Sequence, residues 1–138
     1  MAVRVKVRLK HGSTTIDTVA LANSGYEGEE PEIHVPLALG RRLGFTLEGV
    51  LSERYRVVGS EATTYILGYV FVALIVDSSE YGNVRARAVT VPGEYEVILN
   101  DHLIEALNIE LVKPASGIWR ISGEETLRKS FPPQYWVS

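Results

Sequence analysis

Val3, Val5, Val7 and Leu9 alternate with Arg4, Lys6, Arg8 and Lys10, the period-two pattern of a strand with one buried and one solvated face. The cations are read as that solvated face rather than as a phosphate-binding surface. His11-Gly12-Ser13 supplies turn residues, so Thr14 to Leu21 is expected to pair back as a hairpin. Glu32-Ile33-His34-Val35 reads as a short strand, followed by a helix that Pro36 starts and Gly44 ends. Arg54 to Val58 and Thr63 to Val76 flank Gly59-Ser60-Glu61-Ala62 and form a long hairpin. Asp77 to Asn83 turns the chain, with the hairpin turn itself read at Ser79-Glu80-Tyr81-Gly82-Asn83, and Val84 to Val91 returns with Arg85 and Arg87 outward. Asp101 is the expected N-cap of a helix from Leu103 to Leu107. Ile109 to Val112 and Ile118 to Ile121 then close a last hairpin across Pro114-Ala115-Ser116-Gly117. The pattern is that of an all-β chain with one or two short helices.

Composition narrows the classes. A chain of 138 residues with 46% hydrophobic and 22% charged residues is one ordinary globular domain by length. The longest apolar run, Tyr65 to Val76, falls short of the roughly 20 residues a membrane-crossing helix needs. A net charge of −3 and a pI near 5.6 lack the basic footprint of a non-specific nucleic-acid binder. With no cysteine there is no disulfide framework, thiolate nucleophile or cysteine zinc site. His11, His34 and His102 lack ligand spacing, so neither metal nor cofactor is expected. No charged-then-apolar leader opens the sequence, and a cytoplasmic location is the expectation. One Gln, four Asn and ten Arg to four Lys hint at a thermostable protein.

The chemistry-bearing stretch follows the apolar run Val19-Ala20-Leu21-Ala22: Asn23-Ser24-Gly25, then Tyr26, Gly28 and, further on, Pro36-Leu37-Ala38-Leu39-Gly40-Arg41-Arg42-Leu43-Gly44-Phe45. A second element, Val97-Ile98-Leu99-Asn100-Asp101-His102-Leu103, lies downstream. In their order and spacing the two resemble the retropepsin-like aspartic proteases, whose loop reads apolar-apolar-Asp-Thr/Ser-Gly and whose later signature reads Ile-Leu-Gly-x-Asp-x-Leu. Asn23 stands where that family has its catalytic Asp. Matching Ile98-Leu99 puts Asn100 in the Gly position with one residue missing before Asp101; matching Asp101 and Leu103 puts Leu99 there. The first is preferred because Asn tolerates positive φ better than Leu.

The resemblance covers residues 3 to 121. It implies an all-β, closed-barrel-like retropepsin fold in residues 1–122, with 123–138 as a tail placed at a dimer interface. A chain this short offers one such loop, so the resemblance implies a homodimer with the site on its two-fold axis.

Aspartic proteases use two carboxylates about 3 Å apart that share one proton and hold the attacking water. The amide of Asn23 can orient a water but cannot take its proton. By resemblance, Asn23, Ser24 and Gly25 occupy the catalytic positions, Ser24 bracing the two loops and Gly25 allowing close backbone approach. Tyr26, Gly59, Ser60 and Glu61 would contact substrate, and Val58 to Tyr65 would be a flap over the cleft. The reading is a homodimeric aspartic endopeptidase domain, inactive as written. The alternative is a non-catalytic module that binds extended peptides by strand addition, or a structural dimerisation module.

Asn23 is then a natural pseudoenzyme position, an engineered change, or a turn in an unrelated barrel. Asp17 and Asp77 are rival acids. Asp17 is expected to face water on its strand, and Asp77 to sit beside a turn. Glu27, Glu29 and Glu30 are a solvated loop before they are a selector of basic peptides. The expected partners are a second copy and an extended peptide, with neither nucleic acid nor membrane.

Overall fold

The computed structural model describes residues 2–46, 52–57 and 60–137, with side chains described for 2–46 and 63–137. Its elements run β1 (Arg4–His11), β2 (Thr14–Ala22), β3 (Glu32–His34), α1 (Leu37–Arg42), β4 (Ser52–Val57), β5 (Ser60–Val76), β6 (Ser79–Thr90), β7 (Val97–Leu99), α2 (Asp101–Ala106), β8 (Ile109–Lys113), β9 (Ile118–Ile121) and β10 (Arg128–Lys129). Strands β1-β2-β7-β3-β6-β5 lie side by side, and β5 pairs back onto β1. The result is a closed six-stranded barrel, with β4 outside it as the hairpin partner of β5 and a separate sheet β10-β9-β8. Closure removes the edges an open sheet would expose.

The alternation in β1 is realised in full. Val3, Val5, Val7 and Leu9 are at most 2% exposed, each such burial being worth roughly 1.5–3 kcal/mol. The outward cations are tied down: Arg8 reaches Asp17 at 2.7 Å and Glu80 at 3.1 Å, and Lys10 reaches Glu80 at 2.8 Å. Facing strands supply small residues, Ala20 and Ala22 from β2 and Ala86 and Ala88 from β6, against Val70, Val72 and Leu74 from β5. That mixture of large and small side chains fills a narrow barrel.

Helix α1 ends as its sequence suggests. Gly44, at φ 95°, donates to the Arg41 carbonyl, and Phe45 donates to that of Gly40, the paired bonds of a glycine C-terminal cap.

Three local readings are corrected. The turn between β5 and β6 is Asp77-Ser78, both at positive φ, with Val76 opposite Ser79. Asp and Ser accept the left-handed region of a two-residue hairpin turn, so Ser79, Glu80 and Tyr81 continue the ladder, and Gly82-Asn83 fall at the register shift opposite Val72 to Leu74. Likewise Ser60, Glu61 and Ala62 belong to β5, opposite Val57, Arg56 and Tyr55. Val58 and Gly59 lie outside the described residues. Lastly, α2 begins at Asp101, and its N-cap is Asn100, whose side chain accepts from the Leu103 N–H.

The segment after Ser122 returns to the barrel. β10 pairs with β9, Phe131 N–H donates to the Arg4 carbonyl and Arg4 N–H donates to Ser130 Oγ at 2.7 Å. Gln134 Oε1 accepts from Val19 N–H at 2.9 Å, and the Trp136 indole N–H donates to Thr18 Oγ1 at 2.9 Å. Strand β7 covers β2 only at Ala20, Leu21 and Ala22. Gln134 and Trp136 thus serve the part of β2 that β7 leaves uncovered.

Candidate functional site

Strands β2 and β3 are consecutive in sequence but not adjacent, because β7 lies between them, parallel to β2 and antiparallel to β3. The chain leaving β2 must therefore arch over the end of β7 before it re-enters the sheet. Asn23, Ser24, Gly25 and Tyr26 form that arch. Asn23 N–H donates to the Leu99 carbonyl at 3.1 Å, continuing the β2–β7 ladder by one residue. Tyr26 N–H closes a turn onto the Asn23 carbonyl at 3.0 Å. Inside the turn, Gly25 N–H donates to Asn23 Oδ1 at 3.0 Å. Asn23, Ser24 and Gly25 are exposed, as are Glu27, Glu29 and Glu30 beyond them.

The rest of the loop hangs on one buried side chain. Asn100, fully buried, accepts at Oδ1 from Glu32 N–H at 2.9 Å and Leu103 N–H at 3.0 Å. Its Nδ2 donates to the Glu30 carbonyl at 3.0 Å. One amide thereby joins the loop, the start of β3 and the first turn of α2. Gly28 fits because a Cβ there would stand 2.8 Å from Asn100 Nδ2. Asn100 has φ −80° and ψ 177°, so the tolerance of positive φ that favoured it at the family's Gly position is not used; its hydrogen-bonding capacity is.

A second anchor escaped the sequence reading. Glu32 is 6% exposed, accepts a hydrogen bond from the Tyr26 hydroxyl, and stands 3.5 Å from Arg87 Nε. A carboxylate opening a three-residue strand looks solvated in sequence. Only the pairing of Glu32 opposite Arg87 brings its partner near.

Chemically, the site presents an amide whose oxygen is already engaged by Gly25. It can donate from Nδ2, but it has no basicity near neutral pH. Ser60 and Glu61 stand on another element, the start of β5, where backbone alone is described, and Gly59 lies outside the described residues. Of the rival acids, Asp17 is bound to Arg8, which holds its carboxyl below the usual range. Asp77 sits at a hairpin tip within 3.4 Å of Arg128. His11 stacks on Phe45 at 3.9 Å between ring centroids, and its Nδ1 is 2.6 Å from the Leu43 carbonyl. His34 is buried with Nδ1 2.7 Å from the Glu96 carbonyl, and burial lowers its pKa. Among the described residues no three His, Asp or Glu side chains converge as metal ligands, and no helix is long and apolar enough to cross a membrane.

The sequence matches no family model and no curated protein. The fold does have solved counterparts. The retroviral protease-like domain of Ddi1 from Leishmania major superposes with a TM-score of 0.51 over 96% of this chain and 97% of that one, at 10% sequence identity. The chain therefore has a retropepsin-like fold: a closed six-stranded barrel with two short helices among the described residues.

Proposed function

We propose that this chain is a retropepsin-type domain that assembles as a homodimer, with its peptide-binding machinery kept and its cutting machinery disarmed at Asn23. The observation that carries the reading is the placement of Asn23: first residue after β2, hydrogen-bonded to the end of β7, and followed by a Ser-Gly turn. In a retropepsin-like fold that is the position of the acid. Two facing amides cannot share a proton or deprotonate water. An extended peptide held by backbone pairing needs no acid, so binding survives the loss of cutting. No cofactor or metal enters this reading.

The test is Asn23→Asp. Both forms are incubated with a mixed peptide library from about pH 3 to pH 7, and products are sequenced. The substituted protein is expected to cut with a bell-shaped profile on the acid side, and the unsubstituted one not at all. A substituted form that folds and dimerises yet cuts nothing, under conditions where an active aspartic protease does, sinks the enzyme lineage. The binding or dimerisation module then takes its place, a reading favoured by the engagement of Asn23 Oδ1 within its own turn.

A further inference from the structure

The chain holds four asparagines, and their surroundings differ in a way that bears on their chemical lifetime. Amide side chains are the thermolabile ones, and loss of ammonia from Asn proceeds by attack of the following residue's backbone nitrogen on Cγ. A bulky following residue or a rigid, fully bonded setting slows that attack. Asn83 lies within β6 ahead of β-branched Val84, Asn108 precedes the buried, β-branched Ile109, and Asn100 is buried with both amide atoms hydrogen-bonded. Asn23 alone is exposed, outside a strand and followed by a small exposed residue, Ser24. Among the described residues the Ser24 N–H makes no hydrogen bond, so the attacking nitrogen is free. The oxygen that must accumulate negative charge, Asn23 Oδ1, already accepts the Gly25 N–H at 3.0 Å, the arrangement of an oxyanion-stabilising donor.

We propose that Asn23 is a self-deamidation site through which the chain generates the missing acid from its own sequence. Ser24 nitrogen bonds to Asn23 Cγ and gives its proton to water or hydroxide, while Gly25 N–H steadies the oxyanion. The Cγ–Nδ2 bond then breaks, and the amide nitrogen leaves as ammonia after taking a proton from solvent. Water opens the resulting cyclic imide at one of its two carbonyls, giving Asp or its backbone-shifted isomer. The balance is one water consumed and one ammonia released, with no oxidant or reductant. The fresh chain is then a latent form and the aged chain carries Asp at position 23 in part of the population. The value of that acid rests on the retropepsin reading proposed above; the deamidation itself does not. Where cleavage needs one acid from each protomer, activity rises with the square of the Asp fraction.

Full-length protein is aged warm at mildly alkaline pH, which favours the nitrogen nucleophile. It is sampled by peptide mapping with mass spectrometry able to separate Asp from its isomer, and each sample is assayed on peptides at acid pH. The expected result is an amide-to-acid mass gain confined to the Asn23 peptide, with an Asp component, and slowed several-fold by Ser24→Val. Asn23→Ala should abolish the gain. No gain at Asn23 in the folded protein, a gain equally fast in Ser24→Val, or the isomer as sole product overturns the proposal. If Asp accumulates at position 23 while the directly made Asn23→Asp protein is itself inactive, deamidation stands and the protease reading fails instead.

Discussion

Asn100 is the residue on which the loop depends most, because three backbone groups from three elements meet its one amide. Removing it strands buried donors and an acceptor, each costing roughly 1–3 kcal/mol when unsatisfied. Asn100→Ala is therefore expected to lower unfolding free energy by about 3 kcal/mol or more, read as a fall in the urea midpoint at unchanged slope. Asn100→Asp keeps the two acceptances but turns the Glu30 carbonyl's partner into a second acceptor, and should recover only part of the loss. His34 makes a pH prediction. Burial lowers its pKa in the folded chain, so in that window the unfolded chain binds the proton better. Its contribution is intact above the unfolded value of about 6.5 and is lost as pH falls from there through the folded value. The urea midpoint should drop between neutral and mildly acid pH, and His34→Gln should flatten that drop. An unchanged pH dependence would remove His34 as its source.

At the scale of elements, legibility followed how local the determinant was. The β1–β2 hairpin, α1 with its Gly44 cap and the β8–β9 hairpin could be read because alternation and turn chemistry lie within a few residues of one another. The misplacements arose where a distant contact decides. Asn100 caps α2 while also binding Glu30 and Glu32, and nothing within the α2 sequence separates it from Asp101. The β5–β6 turn differs for another reason: Gly82 does take positive φ, but at a register shift within the ladder, and two consecutive left-handed residues, Asp77 and Ser78, make the turn itself. The end of β2 before Asn23-Ser24-Gly25 could be read from its apolar run, whereas the loop's anchors Glu32 and Arg87 meet only across a strand pairing. The terminal segment was equally opaque, since its aromatic residues carry no period. Trp136 packs against the barrel core, bonds Thr18 and lies under Arg42, 5.4 Å from its ring. Trp136→Ala should cost about 2 kcal/mol, less than the 3–5 kcal/mol of a fully buried aromatic because this one is half-buried. A thermal or urea melt that does not move would show the segment to be a passenger on the barrel.

At the scale of the molecule, the proposed homodimer rests on the number of loops. One Asn23 loop per chain means that a retropepsin-type site requires two chains, and the proposed dimer can be tested separately from any catalysis. Sedimentation at micromolar concentration is expected to find a dimer; monomer alone would remove the site on the two-fold axis. The Asn23→Asp substitution adds a sharper test, because it places two carboxylates where two amides were. Only one of a close pair ionises readily, so the upper pKa of the pair in the dimer rises above the monomer value of about 3.9. A group whose pKa is raised on association favours the dimer fully below its monomer value. That contribution is lost as pH rises from there through the raised pKa, where the second charge appears. The substituted protein should accordingly dissociate more readily at neutral pH than at acid pH, while the unsubstituted amide form lacks that component. Parallel sedimentation of both proteins across the same acid-to-neutral range isolates it, because every other titrating group is shared. If the two dissociation constants keep a fixed ratio over the whole range, the position-23 side chains do not face one another, and the cleft must be sought elsewhere on the barrel.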